Sequence, residues 1–134
     1  MDTTTSKPLE DKLNLKPGDC AMAVNPPDGY LDLFTTRPTH LVIRFEPGER
    51  DFIHLFAADC AALDNWLPIL KTSLSQNGKL WVSWPKKSAQ SHTDLTEDYV
   101  RSFGLSVGLV DTKIAAIDDY WSALKFVFRL RDRR

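Results

Sequence analysis

Cys20-Ala21-Met22-Ala23-Val24 is apolar at every position rather than at every second one. A strand with one wet face alternates. A strand covered by helices on both faces has no reason to, so this run reads as a central strand of a parallel sheet. It stops at Asn25-Pro26-Pro27-Asp28-Gly29, a cluster of turn formers. Lys79 to Trp84 is a second segment of the same kind. Two such strands separated by helical pattern point to α/β architecture.

On the amino-terminal side, Leu9, Leu13 and Leu15 among charges predict a short amphipathic helix within Lys7 to Leu15, and Lys16-Pro17-Gly18 turns the chain out of it. After the first strand, Tyr30 to Phe34 is expected to make one or two helical turns, with Thr39 to Phe45 and Asp51 to Phe56 as the next strands. Glu46-Pro47-Gly48-Glu49 between them leaves two paths open. Pro-Gly favours a type II turn and a hairpin. An extended crossing would instead leave both strands parallel on opposite sides of the first, since about six residues span a strand length at ~3.3 Å each.

Asp59 is expected to cap a helix carrying Leu63, Trp66, Leu67, Leu70 and Leu74 on one side, with Pro68 kinking or splitting it and Asn77-Gly78 ending it. Asp94 and Glu97 have capping-box spacing, which predicts another helix from Asp94 to near Gly104. Leu109 to Ile117 and Ser122 to Leu130 flank Asp118-Asp119-Tyr120-Trp121 with no room for a helix, and so predict an antiparallel hairpin. In that hairpin Lys113 and Lys125 fall nearly opposite each other. Like charges so placed are unfavourable unless both point into water or an anion sits between them; water is expected, because lysines also guard an edge strand. The whole predicts an α/β fold: an open, mostly parallel sheet of about six strands in the order 2-1-3-4-6-5 with a C-terminal antiparallel hairpin. Residues 1–134 read as a single domain, 1–15 being an N-terminal helix and tail.

Composition narrows the class. With 134 residues, 43% hydrophobic, 26% charged and a net charge of -1, the chain resembles soluble globular proteins and carries no global attraction for nucleic acid. The basic end, Arg129, Arg131, Arg133 and Arg134 around Asp132, reads as a solvated terminus. Cys20 and Cys60 lack the paired spacing of a zinc site and read as small buried hydrophobes. The start lacks a signal-peptide pattern and no apolar run nears the ~20 residues that cross a bilayer, so a cytoplasmic location without membrane contact is expected.

The layout of N-terminal helix, Leu15-Lys16-Pro17-Gly18-Asp19, buried strand, β/α units and closing hairpin is similar to a shortened class I methyltransferase, which implies a three-layer, Rossmann-like α/β fold. Leu80-Trp81-Val82-Ser83-Trp84-Pro85-Lys86-Lys87, Thr93-Asp94-Leu95-Thr96-Glu97 and Trp121-Ser122-Ala123-Leu124-Lys125-Phe126-Val127 more specifically resemble bacterial proteins with domain of unknown function 3052, over Leu13 to Phe128. That second resemblance implies no reaction. The first implies S-adenosylmethionine bound at a glycine-rich turn after the first strand, where backbone must approach the cofactor closely. Here Pro26 and Pro27 remove two backbone donors from that turn, and Glu46 is the only acidic residue near the end of the second strand. S-adenosylmethionine is therefore not the expected cofactor, and none is assigned. Asn25-Pro26-Pro27 is also similar to the Asn-Pro-Pro-aromatic motif of amino-methylating enzymes, but Asp28 and Gly29 separate it from Tyr30, and a rigid turn explains it better.

In a parallel sheet the turn after Val24 and the loop after Trp84 both leave the carboxyl edge, where open α/β sheets place ligands. The candidate ligand-binding residues are Asn25, Asp28, Trp84, Lys86, Lys87, Ser88, His92 and Thr93. Lys86 and Lys87 bring positive charge, Ser88 and Thr93 bring hydroxyls, and His92 titrates near neutrality. Asp94 opposes an anion there. No catalytic residue is assigned: there is no Gly-x-Ser-x-Gly elbow and no phosphate-loop motif, Ser83 sits inside a strand, and His40 and His54 read as packing residues in strands. No metal site is expected. The residues favour a non-catalytic binding module for a small anionic ligand or a protein partner. The rival readings are a divergent S-adenosylmethionine-dependent methyltransferase and a structural or interaction protein acting as a homodimer.

Overall fold

A computed structural model describes residues 8–87 and 93–133. Helix α1 is Leu9–Lys12, α2 is Cys60–Lys71 and α3 is Glu97–Ser106. The strands are β1 (Ala21–Val24), β2 (Leu41–Val42), β3 (Arg50–Phe56), β4 (Leu74–Pro85), β5 (Leu109–Ala116) and β6 (Trp121–Phe128), and a 3-10 helix spans Tyr30–Leu33. They form one mixed sheet in the order β2-β1-β3-β4-β6-β5, the order expected from sequence.

β2, β1, β3 and β4 are mutually parallel. β6 runs antiparallel to both β4 and β5, so β6 is the reversed strand and the edge strand β5 runs with the first four. The two paths left open at Glu46-Pro47-Gly48-Glu49 resolve to the crossing: Ala21 pairs with Leu41 on one side and Phe52 on the other, both in parallel register. The crossing packs Phe45 against Trp66, ring centroids 5.7 Å apart, and brings the Glu46 amide within 3.3 Å of Met22 Sδ. It also consumes residues that sequence assigned to the strand, which is why β2 is confined to Leu41–Val42. His40 consequently lies exposed in the turn before β2, not packed within a strand.

The continuous apolarity of β1 is explained by its two faces. Met22 and Val24 join a core under α2 and α3, with Ile53, Leu55, Leu63, Leu67, Leu80 and Val82. Ala21 and Ala23 join a second core on the other face, with Leu9, Leu13, Tyr30, Phe52, Phe56 and Trp81. Trp81 is fully buried there and donates its indole N–H to the Leu13 carbonyl at 2.9 Å, tying the end of α1 to the sheet. A buried indole needs such a partner, and the bond satisfies it.

Four local expectations give way to tertiary causes. Asn77-Gly78 does not end α2, which stops at Lys71 with Thr72 as C-cap. Those residues lie in β4, where the ladder jumps from Arg50↔Leu74 to Phe52↔Lys79, and a Cβ on Gly78 would meet Leu74 and Ser75 at 2.8 Å. Pro68 does not split α2, since its ring lies on the exposed side and the carbonyl it leaves unpaired can face water. Asp94 does not cap α3: Thr96 does, accepting from the Tyr99 amide at 3.1 Å. Helix α3 also runs past Gly104, which is buried against the Phe126 ring, and Gly108 (φ +99°) supplies the left-handed exit. Cys20 and Cys60 are free and half-buried, bonded to Arg50 Nη1 at 3.2 Å and to the Asp94 carbonyl at 3.6 Å. Among the described residues no helix is long and apolar enough to cross a membrane.

Candidate functional site

β4 delivers Trp84 and Pro85 to the carboxyl edge, where Trp84 pairs with Ser122 of β6 and its side chain is turned into the core at 5% exposure. The Lys86 amide then donates to the Tyr120 carbonyl at 2.8 Å, which anchors the start of the loop to the β5–β6 turn. That turn is itself rigid, because Asp118 Oδ1 accepts from both the Tyr120 and Trp121 amides at 2.8 Å. Leu95 is buried in the core just before Thr96 opens α3.

A cavity of about 410 Å³ lies between these pieces, lined by Trp84, Lys86 and Lys87 on one side and by Thr96, Glu97 and Asp98 on the other. Among the described residues neither Lys86 nor Lys87 takes part in an ion pair. Facing them, Arg101 holds Glu97 at 2.8 Å, Asp98 at 3.8 Å and Asp111 at 2.9 Å. Three carboxylates share one guanidinium, so that wall keeps negative charge while the lysine wall keeps positive charge. These carboxylate hydrogen bonds hold the Arg101 pKa above its ordinary value. The lining therefore carries both cationic and anionic side chains.

The sequence-selected residues do not all gather here. Trp84, Lys86 and Lys87 line the cavity. Asp28 lines a separate one of about 360 Å³, with Pro26, Pro27, Gly29, Tyr30 and Arg37 among its walls, and the two cavities share no residue. Asn25 is exposed in a left-handed conformation (φ 58°) and lines neither. Thr93 uses its hydroxyl locally, donating to the Ala58 carbonyl at 2.6 Å and accepting from the Leu95 amide at 3.1 Å. Ser88 and His92 lie outside the described residues. Asp94, read from sequence as repelling an anion, is turned to α2: its Oδ1 accepts from the Cys60 amide at 2.8 Å, beside the Asp59 cap on Ala62 at 2.9 Å. The hydrogen bonds from Cys60 pull the Asp94 pKa down, and burial with the Asp94 contact pushes the Cys60 thiol up to about 11.

A buried polar chain escaped the sequence reading. Tyr30 Oη lies 2.9 Å from His54 Nδ1, and His54 Nε2 lies 2.7 Å from Ser83 Oγ. All three are buried, His54 and Ser83 completely. With Tyr30 donating, the imidazole keeps its proton on Nε2 and donates to Ser83, leaving both ring nitrogens satisfied. Burial pushes the His54 pKa down to about 3 and the Tyr30 pKa up, so both are neutral at pH 7. A histidine activates a serine by accepting its proton; here the imidazole donates to Ser83, both side chains are wholly buried, and the chain serves as a polar seam in the core. The only sequence signal was strand period, which sets His54 on the same face as Phe52 and Phe56.

Among the described residues no cluster of three or more His, Cys, Asp and Glu is placed to hold a metal ion. Neither a protein-family model nor a curated protein sequence matches this chain.

Proposed function

We propose that the chain is a non-catalytic binding domain that takes a small anionic ligand at the carboxyl edge of its sheet, between the Lys86-Lys87 wall and the start of α3. The observation that supports this most is the pair of lysines without carboxylate partners among the described residues, facing a cavity of about 410 Å³ floored by Trp84. Because the opposite wall is acidic, the favoured ligands carry a donor or positive group beside the anion, as an amino acid does. The architecture is read as a reduced Rossmann-like domain, in keeping with the resemblance to methyltransferases and to domain of unknown function 3052. Helices on both faces of the sheet and one reversed strand between β4 and β5 support that reading.

S-adenosylmethionine has no part in this proposal. The turn after β1, where the resembling enzymes bring bare backbone to the cofactor, presents Pro26 and Pro27 to its cavity, and neither has an N–H to offer. The test is a thermal-shift and calorimetry series on the full chain with dicarboxylates, amino acids and S-adenosylmethionine. The expected result is a rise in melting temperature with an anionic or zwitterionic compound, lost in the Lys86→Ala, Lys87→Ala double variant. A response to S-adenosylmethionine alone, untouched by that double variant, would overturn the reading in favour of the methyltransferase.

A further inference from the structure

Away from the edge cavity, on the α1 face of the sheet, four lysines converge. Lys113 of β5 and Lys125 of β6 are direct cross-strand partners. Lys125 also pairs with Trp81, so Lys79, two residues earlier in β4, lies on the same face and diagonal to it, about 7–8 Å away between Cα atoms. Lys16, in the turn after α1, belongs to the same corner: it, Lys79 and Lys113 are the cations whose repulsion, after burial, lowers the Lys125 pKa. Asp19 is the carboxylate that meets them, 3.5 Å from Lys79 Nζ, while its Oδ2 also accepts from the Lys16 amide at 3.0 Å. Lys125 Nζ reaches only a neutral partner, Asn14 Oδ1, at 3.4 Å.

The expectation that both hairpin lysines face water holds for Lys113, which is exposed, and not for Lys125, which is half-buried. Lys79 is buried further, its side chain 14% exposed. A solvated edge would cost nothing. This corner instead holds like charges on adjacent strands, two of them partly desolvated, and among the described residues Asp19 is the one carboxylate in an ion pair with any of these lysines. Nothing in packing requires ammonium groups there, and neutral side chains of equal length would relieve the repulsion.

We propose that this corner is an anion site for a small polyvalent oxyanion of the di- or triphosphate class, held by Lys16, Lys79, Lys113 and Lys125. Several ammonium groups on neighbouring strands of one sheet face match the spread charge of such a group, and each contact would be charge-assisted. The chain has a net charge of -1, so the positive field is local. A nucleic-acid strand or a membrane surface needs a broad basic face, and the small soluble ligand is the better match. The site is distinct from the edge cavity: Lys79 lies six residues before Pro85, the end of β4, roughly 20 Å at 3.3 Å per residue, and Trp84 belongs to the core on the opposite face.

Inorganic triphosphate is the probe, titrated by calorimetry into the full chain. The wild type and the Lys86→Ala, Lys87→Ala double variant are expected to bind alike, whereas Lys125→Gln and Lys113→Gln each weaken binding about tenfold, the loss of one charge-assisted contact. Without ligand, Lys125→Gln is expected to melt at or above the wild-type temperature. Should that variant not fold, exposed Lys113 carries the test alone. Absence of binding by the wild type, unchanged affinity in both glutamine variants, or loss of binding in the Lys86, Lys87 variant would each overturn the site. Co-sedimentation with phosphatidylglycerol vesicles that triphosphate cannot compete would overturn the choice of a soluble ligand.

Discussion

His54 Nε2 and Ser83 Oγ lie 2.7 Å apart with both side chains wholly buried, joining two parallel strands through their side chains as well as their backbones. The imidazole must stay neutral in this setting. Burial lowers its pKa from 6.5 to about 3, so the unfolded chain takes up a proton at a pH where the folded chain does not. The stability this provides is complete above pH 6.5 and is lost as pH falls from there toward about 3. Urea denaturation at pH 7 and pH 5 should show the wild type losing about 2 kcal/mol from this residue, at 1.36 kcal/mol per unit, and His54→Gln should lack that component. Equal pH slopes in the two proteins would refute the buried neutral histidine.

Removing either end of the same chain leaves a buried ring nitrogen without a partner. Tyr30→Phe and Ser83→Ala should each cost about 1–3 kcal/mol, measured as a shift in the urea midpoint at pH 7. Neither should change ligand affinity at the edge cavity or the lysine corner, because neither residue lines one. A loss of binding in Ser83→Ala with stability intact would mean that the serine works rather than packs.

Asp94 and Thr96 divide a task that the sequence assigned to one residue. Thr96→Ala removes the cap on α3, and Asp94→Ala removes the acceptor for the Cys60 amide at the start of α2. Each should cost about 1 kcal/mol. Asp94→Asn keeps an acceptor oxygen and should lose less. Circular dichroism melts of the three variants check the assignment, which fails if Asp94→Ala is neutral while Asp94→Asn is not.

What the sequence disclosed and what it hid have physical reasons. Strand order was legible because Ala21 to Val24 is apolar at every position and Leu80 to Trp84 at every position but Ser83, and because Asp118-Asp119-Tyr120 leaves the final strands no choice but a hairpin. The cationic wall of the edge cavity was legible because Trp84, Lys86 and Lys87 are close neighbours in the chain. The Tyr30–His54–Ser83 seam was hidden because its members are 24 and 29 positions apart on separate elements. Asn77-Gly78 misled because a glycine looks alike whether it ends a helix or makes room in a bulge. The separation of Asp28 from Trp84 follows from strand order: β3 stands between β1 and β4.

Gly104 tests that last distinction between a glycine that stops a helix and one that makes room. As a helix-interior residue it should be improved by alanine, by about 1 kcal/mol, since alanine restricts the unfolded chain and favours helix. The Phe126 ring leaves no space for a methyl group, however, and Phe126 is itself wholly buried in the core under α3. Overpacking at a site that cannot yield costs about 1–3 kcal/mol, so the steric effect exceeds the propensity gain and Gly104→Ala should destabilise the fold in a urea titration. Adding Phe126→Leu removes the ring edge that blocks the methyl group. The double variant should be more stable than the sum of the two single changes, a coupling of the kind seen only between residues in contact. Strict additivity would place Gly104 out of contact with Phe126 and return it to the role of a helix stop.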